Sequence, residues 1–384
     1  MTTFTSRLPD RTTRPPAPWQ PPTQVLELAD AAPVASVYLG THHGVRDGAD
    51  RVLTRWQEMR RGLRDEGAPE SMLGTLDECT RQAPVRGETM AVFACADGRS
   101  HVEHLSRAVQ DRAFLGPLPH VSPLLTARHR AVPVVVVVTD RRGADLLLVE
   151  PGAQDLACQV VGEDLLITGS TPDALHRRLE RAEERWTTNA RAISESVTWL
   201  VDCSRARLVV AGGEAGTLQL LRGRLEPRIR AVLVTVGTSS DLRSLAARAR
   251  IMAADAAALE EAAAVEEVSA GLADGRACVG AAPTLRAVVH GQAEEVLIAP
   301  NEADRHWVRR LSPDVADAPD RRRHAGSPTG RHAPLSDVLV RAASSTSTVV
   351  RTIRDGRRLD GGAGALLRGP ADAPPLPPGG PAPP

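Results

Sequence analysis

The stretch Val132-Pro-Val-Val-Val-Val-Val138 is followed by Thr139-Asp-Arg-Arg-Gly143 and by a second apolar run, Ala144-Asp-Leu-Leu-Leu-Val149. Two such runs on either side of a glycine-containing turn are typical of a β-hairpin. The unbroken valines leave the first strand no polar face, which indicates burial on both sides. The sequence therefore predicts a hairpin that enters the core of a domain.

The segments that follow predict the rest of this domain. Thr171 to Trp199 has apolar residues at helical spacing and a proline suited to the first helical turn, so it is predicted as one long amphipathic helix. Leu208 to Ala211 and Ala231 to Val236 are predicted as buried strands, and the alanine-rich Asp241 to Val265 as a helix. Together these elements predict an α/β middle domain over residues 131–265.

A first domain is predicted before the hairpin, over residues 23–130. Val34 to Leu39 and Met90 to Ala94 are typical of short buried strands, and Asp50 to Arg64 has the spacing of an amphipathic helix. The proline-rich residues 1–22 are predicted as a disordered leader.

A third domain is predicted over residues 266–368, with a helix from Pro283 to His290 and a strand from Glu295 to Ala299. Residues 314–334 are rich in Pro, Gly, Asp and Arg and predict a flexible loop within it. Residues 369–384 are almost all Pro, Gly and Ala, which predicts a disordered tail.

The charge composition restricts the possible partners. The 384 residues contain 47 basic and 47 acidic side chains, and every basic one is arginine because the chain has no lysine. Affinity for RNA must then come from local patches rather than from net charge. Aromatic residues make up 2% of the chain, which argues against a protein that stacks single-stranded bases.

The remaining composition indicates a cytoplasmic protein, and a monomer is expected. The five cysteines are widely spaced and indicate free, buried thiols in a reducing compartment. No run approaches 18 apolar residues and no signal peptide is recognisable, so neither membrane insertion nor secretion is expected. No cofactor or metal is expected.

Three residue patterns were weighed for catalysis or binding. His42 and His43 follow the first predicted strand and could contact RNA or a metal, but a histidine pair without further ligands is more often an ordinary loop. Asp140 and Asp202 lack the further carboxylates of a two-metal nuclease. No Gly-x-Ser-x-Gly elbow supports a nucleophilic triad.

The order of elements resembles the middle and C-terminal domains of archaeal and eukaryotic class-1 peptide chain release factors. The C-terminal domain of that family has a Cys-x-Gly-x-x-x-Thr-Leu pattern and a Gly-x-x-Glu-x-Leu-Ile pattern. The corresponding residues here are Cys278-Val-Gly280 with Thr284-Leu285, and Gly291-Gln-Ala-Glu294-Glu-Val-Leu-Ile298. Gly361 to Arg368 is similar to the closing strand of an actinobacterial branch related to the ribosome hibernation factor Balon.

The resemblance implies a three-domain release-factor-like α/β architecture, with a mixed-sheet middle domain and a smaller L7Ae-like α/β C-terminal domain. It covers residues 130–368 well and the first domain only by position. Two departures bear on function. The Gly-Gly-Gln sequence with which release factors hydrolyse peptidyl-tRNA is absent, and Ile167 to Pro172 stands at its place. The codon-reading Asn-Ile-Lys-Ser motif cannot occur without lysine.

The resemblance therefore implies a non-catalytic protein that occupies the ribosomal A site in hibernation. The candidates for ribosomal RNA contact are His42 and His43 together with Gly169, Ser170, His176, Arg177, Arg178, Arg181 and Arg185. Glu294 and Glu295 are candidates for a translational GTPase contact, and elongation factor Tu is the implied partner. A peptidyl-tRNA hydrolase acting on stalled ribosomes, and an adaptor that never touches the ribosome, are the alternatives.

The arginine row on the long predicted helix has two interpretations. Arg177, Arg181 and Arg185 recur every four residues and could hold RNA phosphates along one helical face. They could equally form a solvated face in which they pair with the interspersed residues Glu180, Glu183 and Glu184.

Overall fold

The computed structural model of the protein describes residues 23–31, 33–41, 48–82, 88–105, 107–140, 143–149, 156–161, 172–237, 241–309 and 332–369. The described residues divide into two compact units. One lies within Ala131–Ala257, and the other combines the described parts of Pro16–Arg130 and Ala258–Pro384. The predicted limits of the three domains stay a prediction. Among the described residues, no helix is long and apolar enough to cross a membrane.

The N-terminal part of the second unit is a four-stranded antiparallel sheet with the order β3-β2-β1-β4. Its elements are α1 (Thr23–Glu27), β1 (Val34–Gly40), α2 (Gly48–Asp65), α3 (Glu70–Gln82), β2 (Thr89–Cys95), β3 (Ser100–Leu105), β4 (Arg112–Gly116) and α4 (Ser122–Arg130).

The central strand of this sheet, β1, is buried on both faces. Ala35, Val37 and Leu39 pack with apolar residues of α2 and α3 such as Leu63 and Leu73. The alternate residues, such as Tyr38, pack into a second cluster on the opposite face. Because successive strand residues point to opposite faces, a strand covered on both sides needs an apolar residue at nearly every position.

The unit within Ala131–Ala257 is built on a five-stranded mixed sheet with the order β7-β6-β5-β8-β9. Its elements are β5 (Val134–Thr139), β6 (Gly143–Val149), β7 (Leu156–Val161), α5 (Pro172–Ser204), β8 (Leu208–Gly213), α6 (Ala215–Arg224), α7 (Pro227–Ala231), β9 (Leu233–Val236) and the start of α8 (Leu242–Ala273). The predicted hairpin is confirmed, since β5 pairs antiparallel with β6 and in parallel with β8.

The valine run of β5 is buried on both sides, as its composition predicts. Val135 and Val137 pack with Ile193 and Val197 of α5. Val134 and Val136 pack on the other face with Leu245 and other residues of α8. The sheet therefore lies between α5 with α6 on one face and α8 on the other, which confirms an α/β domain with a mixed sheet.

The C-terminal part of the second unit contains the mixed sheet β10-β15-β11-β14 and the two-stranded sheet β12-β13. Its elements are β10 (Ala277–Val279), α9 (Ala281–Val289), β11 (Ala293–Ile298), α10 (Pro300–Ala303), β12 (Trp307–Arg309), β13 (His332–Pro334), α11 (Leu335–Ser345), β14 (Val349–Thr352) and β15 (Ala363–Leu367). The fold class is α/β throughout, as predicted.

Two predicted segments of irregular structure fall largely outside the description. Residues 314–331 of the predicted loop lie outside the described residues, but the last three residues assigned to it form a strand. His332–Pro334 pairs with Trp307–Arg309, so the loop prediction was too long at that end. Proline can occupy the edge of a short ladder, which composition alone does not reveal. The predicted leader and tail residues 1–22 and 370–384 lie outside the described residues.

Candidate functional site

The predicted cationic row lies on the first half of α5. Its positions are His176, Arg177, Arg178, Arg181 and Arg185, within a helix that runs without interruption from Pro172 to Ser204. The long helix is thus confirmed. The side chains of the row, together with Gly169, Ser170, His42 and His43, lie outside the described residues, so their role as RNA contacts stays a prediction.

The second half of α5 shows which of its faces is buried. Asn189, Ile193 and Val197 are buried against the sheet, whereas Arg191 and Glu195 are exposed and paired at 3.0 Å. At about 100° per residue, positions 177 and 181 fall on the same helical face as Glu195, roughly opposite the buried one. The backbone therefore puts positions 177 and 181, but not position 185, on the face roughly opposite the buried residues.

The two candidate GTPase contacts of the C-terminal sheet differ in their surroundings. Glu294 and Glu295 are adjacent on β11, at a point where the pairing with β15 shifts register between Ala293 and Glu295 and leaves Glu294 without an opposite residue. Glu294 is exposed, whereas Glu295 forms a partly buried ion pair with Arg351 on β14. Of the two, Glu294 has a carboxylate without an ion-pair partner among the described residues.

A buried hydrogen-bonded network joins the N-terminal and C-terminal parts of the second unit. His120, which is 4% exposed, places Nδ1 3.0 Å from Oδ2 of Asp337 at the start of α11. The backbone N–H of Val121 donates to Oδ1 of the same carboxylate at 3.3 Å. Tyr38 donates its hydroxyl proton to the carbonyl oxygen of His120 at 2.7 Å. We call His120, Asp337 and Asp304 the clasp.

Asp304 is the second carboxylate of the clasp. Its Oδ2 atom lies 3.7 Å from Nε2 of His120 and accepts a hydrogen bond from Ser122 at 3.4 Å. Ser336 donates its hydroxyl proton to Oδ1. The guanidinium of Arg112 also approaches Nε2, at 3.2 Å. One edge of the imidazole therefore faces Asp337, and the other lies between a carboxylate and a cation.

The charges of the clasp stabilise a protonated His120. Burial would by itself lower the pKa of His120, but the charge and hydrogen bond of Asp337, assisted by Asp304 and opposed by Arg112, raise it above its usual value. Burial raises the pKa of Asp337 to about 6, against the opposing effect of His120. The carboxylate of Asp337 therefore favours the protonated form of His120 inside the unit.

The raised pKa of His120 predicts a pH dependence of stability. Because the folded state binds the His120 proton more tightly, protonation stabilises the folded state, and this contribution is complete below the unfolded pKa, near 6.5. The contribution is lost as pH rises through the higher pKa of the folded state. We expect the free energy of unfolding of the second unit to fall as pH rises above about 6.5. Urea titrations read by hydrogen-exchange mass spectrometry of β1 and β2 peptides measure it.

The matched variant for the pH measurement is His120→Gln. Glutamine keeps a polar group at the clasp but does not titrate, so the His120→Gln protein should lose most of this pH dependence of stability. A wild-type profile that is flat, or a variant profile as steep as wild type, would contradict the assignment of the titration to His120.

The sequence does not predict the clasp, because its members are far apart in the chain. His120 and Asp337 are separated by 217 residues, and neither belongs to a recognisable motif. The one local signal is that Asp337 lies within three residues of the start of a helix. Acidic residues are common at that position, so the signal does not indicate a buried network.

Asp140 and Asp202, the two acids considered for a nuclease site, have structural roles. Oδ1 of Asp140 accepts a hydrogen bond from the Gly143 N–H in the β5–β6 turn, at 3.0 Å. Asp202 pairs with Arg228 at 2.6 Å on an exposed surface. Within the described part of the chain, no three His, Cys, Asp or Glu side chains are placed to hold a metal ion.

Comparisons with known proteins show which family the middle of the chain is similar to. Residues 133–274 match the sequence model of bacterial archaeo-eukaryotic release factor family 2. The chain is also 25% identical over 361 residues to the uncharacterized proteins MT2704 and Rv2629 of two Mycobacterium tuberculosis strains. Those alignments cover 89% of this chain and 94% of each relative.

Two solved structures illustrate the low structural similarity to known chains. Dom34 of S. cerevisiae, described as a translation termination-like factor that interacts with Hbs1, aligns with 10% identity and a TM-score of 0.41, covering 74% of this chain and 88% of its own. The archaeal translation termination factor aRF1 aligns with 14% identity and a TM-score of 0.24, covering 89% and 95%. Residues 133–274 are therefore similar to the bacterial archaeo-eukaryotic release factor family 2.

Proposed function

We propose that the protein binds the ribosome as a non-catalytic hibernation factor that occupies the A site. The observation that carries the proposal is a release-factor-like segment, residues 133–274, in a chain with no Gly-Gly-Gln sequence. A release factor without its hydrolytic loop retains the shape that fills the A site but loses the group that positions the attacking water.

The same sequence argues against termination at stop codons. The codon-reading Asn-Ile-Lys-Ser motif requires a lysine, and this chain has none among its 384 residues. Gly212-Gly213-Glu214 does not replace the hydrolytic loop, because it lies at the end of β8 and leads directly into α6. A protein that neither reads stop codons nor cleaves the ester is suited to occupying a vacant ribosome.

The surface proposed to contact ribosomal RNA is the arginine row of α5. A helix of 33 residues is about 50 Å long. The guanidinium groups of this row would pair with phosphates, which they bind bidentately. The exposed Glu294 is proposed to contact a translational GTPase such as elongation factor Tu.

The test of ribosome binding is sedimentation of the purified protein with ribosomes at two salt concentrations. We expect co-migration at low salt that weakens at high salt, because phosphate contacts release counterions. The experiment is done with and without elongation factor Tu. Failure to co-migrate under every condition would overturn the proposed function.

The arginine row is tested by the triple substitution Arg177→Gln, Arg181→Gln, Arg185→Gln. If each arginine neutralises one phosphate, the slope of log affinity against log salt should decrease by about 2–3. Arg191→Gln on the same helix is the control, since Arg191 already pairs with Glu195 and should change the slope little. An unchanged slope in the triple variant would identify the row as a solvated face.

The alternative function is hydrolysis of peptidyl-tRNA on stalled ribosomes. Release of the peptide from loaded ribosomes should stay at background when the protein is added. Release well above background would show that the protein is a rescue hydrolase. The proposal of ribosome binding would then stand, and the proposal of a hibernation role would be wrong.

A further inference from the structure

A cavity of about 620 Å³ opens between the N-terminal and C-terminal parts of the second unit. Residues of the β3–β4 connection and α4 form one side, and residues around α10 and after β14 form the other. This volume is within the range of small-molecule binding sites, which is roughly 300–1,000 Å³. None of the residues predicted to bind RNA or a GTPase lines it.

The cavity is strongly cationic. Five arginines line it, against a single acidic residue, Asp304; they are Arg107, Arg112, Arg130, Arg305 and Arg354. Asp304 is already engaged by Ser122, Ser336 and the imidazole of the clasp. The chain as a whole has no net charge, so this concentration of cations is local.

Three of the five arginines have no carboxylate partner among the described residues. Glu261 lies 3.7 Å from Arg130 and 3.4 Å from Arg354, so one acid serves two arginines. Arg107, Arg112 and Arg305 form no ion pair there, although Arg107 donates to the carbonyl oxygen of Arg130 at 3.2 Å.

Neighbouring cations act on one another inside the cavity. Burial lowers the pKa of Arg130, Glu261 opposes this, and the charges of Arg354 and Arg107 lower it further. Like charges at close range are unfavourable, and an anion bound among them relieves the repulsion. Guanidinium groups converging on one space are the usual recognition elements for phosphate.

The remaining walls offer contacts for more than a phosphate. Val109, Ile353 and Pro300 supply apolar surface, and the side-chain amides of Gln110 and Asn301 supply donors and acceptors. A few polar groups among apolar walls fix the orientation of a small ligand. The cavity thus combines a cationic region with surface suited to a nucleoside.

We propose that this cavity binds a nucleotide, with its phosphates held by Arg107, Arg112 and Arg305. The inference is independent of ribosome binding, because it concerns the second unit alone. Inorganic phosphate presents the same anion chemistry, so the experiment compares the two. A ligand held here contacts both parts of the unit and would stabilise their association.

The test is isothermal titration calorimetry of the full-length protein, without ribosomes, against ATP, GTP, adenosine, inorganic phosphate and a short single-stranded RNA. We expect ATP or GTP to bind more tightly than inorganic phosphate, and adenosine to bind weakly. The double substitution Arg107→Gln, Arg305→Gln should weaken nucleotide binding by roughly tenfold or more, since each removes a charge-assisted contact.

The control is Arg222→Gln with Arg224→Gln, two exposed arginines of α6 in the other unit. It removes the same charge and should leave nucleotide affinity unchanged. Equal loss in both double variants would show non-specific attraction and overturn the site. Binding of inorganic phosphate as tight as that of ATP, binding of RNA alone, or no binding of any ligand would each overturn the nucleotide proposal.

Discussion

Replacing Asp337 with alanine is expected to lower the free energy of unfolding of the second unit by about 3–5 kcal/mol. Asp337 is 2% exposed, and its carboxylate accepts hydrogen bonds from His120 and from the Val121 N–H. Removal leaves a buried imidazole and a buried N–H without their acceptor. Urea unfolding followed by hydrogen exchange of β1 and α11 peptides measures the loss in that unit.

The matched control for Asp337 is Asp355→Ala. Asp355 also pairs with a basic side chain, that of Arg357, but both side chains are exposed and screened by solvent. Exposed pairs contribute at most about 1 kcal/mol, so this substitution should change stability little. If the two variants lost similar amounts of free energy of unfolding, burial of the clasp would not explain the effect of Asp337→Ala.

Replacing Gly362 with alanine is expected to destabilise the same unit by roughly 2–6 kcal/mol, from backbone strain and overpacking together. Gly362 has a φ of 73° just before β15, where its carbonyl oxygen accepts from the Ala299 N–H at 2.8 Å. A methyl group there would come within 2.5 Å of the Ala303 nitrogen. The next neighbours are Cβ of Glu302 and the carbonyl oxygen of Ala299, and these atoms cannot move aside without shifting α10. Thermal and urea unfolding measure the effect.

Gly98→Ala separates the two causes. Gly98 also has a positive φ, 86°, but no atom lies within 4 Å of the position a methyl group would take. Its substitution should cost only the backbone strain, about 1–3 kcal/mol. If Gly98→Ala proved as destabilising as Gly362→Ala, the close approach at Gly362 would not explain its effect.

The elements that sequence reasoning predicted are those with continuous apolar composition. Five strands are buried on both faces or nearly so, and their hydrophobic composition predicts them: β1, β2, β5, β8 and β11. By contrast, β3 reads Ser-His-Val-Glu-His-Leu and is half-buried at the edge of its sheet. An edge strand tolerates polar residues on its open side, so composition gives little indication of it.

The candidate site was predictable only where it is local in sequence. The helix under the arginine row follows from the spacing between Thr171 and Trp199, and α5 confirms it. The clasp and the cavity depend on contacts between residues more than 180 positions apart, such as Ser122 with Asp304. The arginines of the cavity occur singly, in a chain with 47 of them, so no local pattern distinguishes them from solvated surface residues.

The discontinuous second unit has a consequence for the order of folding during synthesis. One hydrophobic cluster contains both early residues such as Phe93 and late ones such as Leu339 and Ala365. At roughly 5–20 residues per second, its N-terminal half waits on the order of tens of seconds for its partner strands. Meanwhile residues 131–257 can complete their own core. The nascent chain therefore carries an exposed apolar sheet face that a chaperone has time to engage.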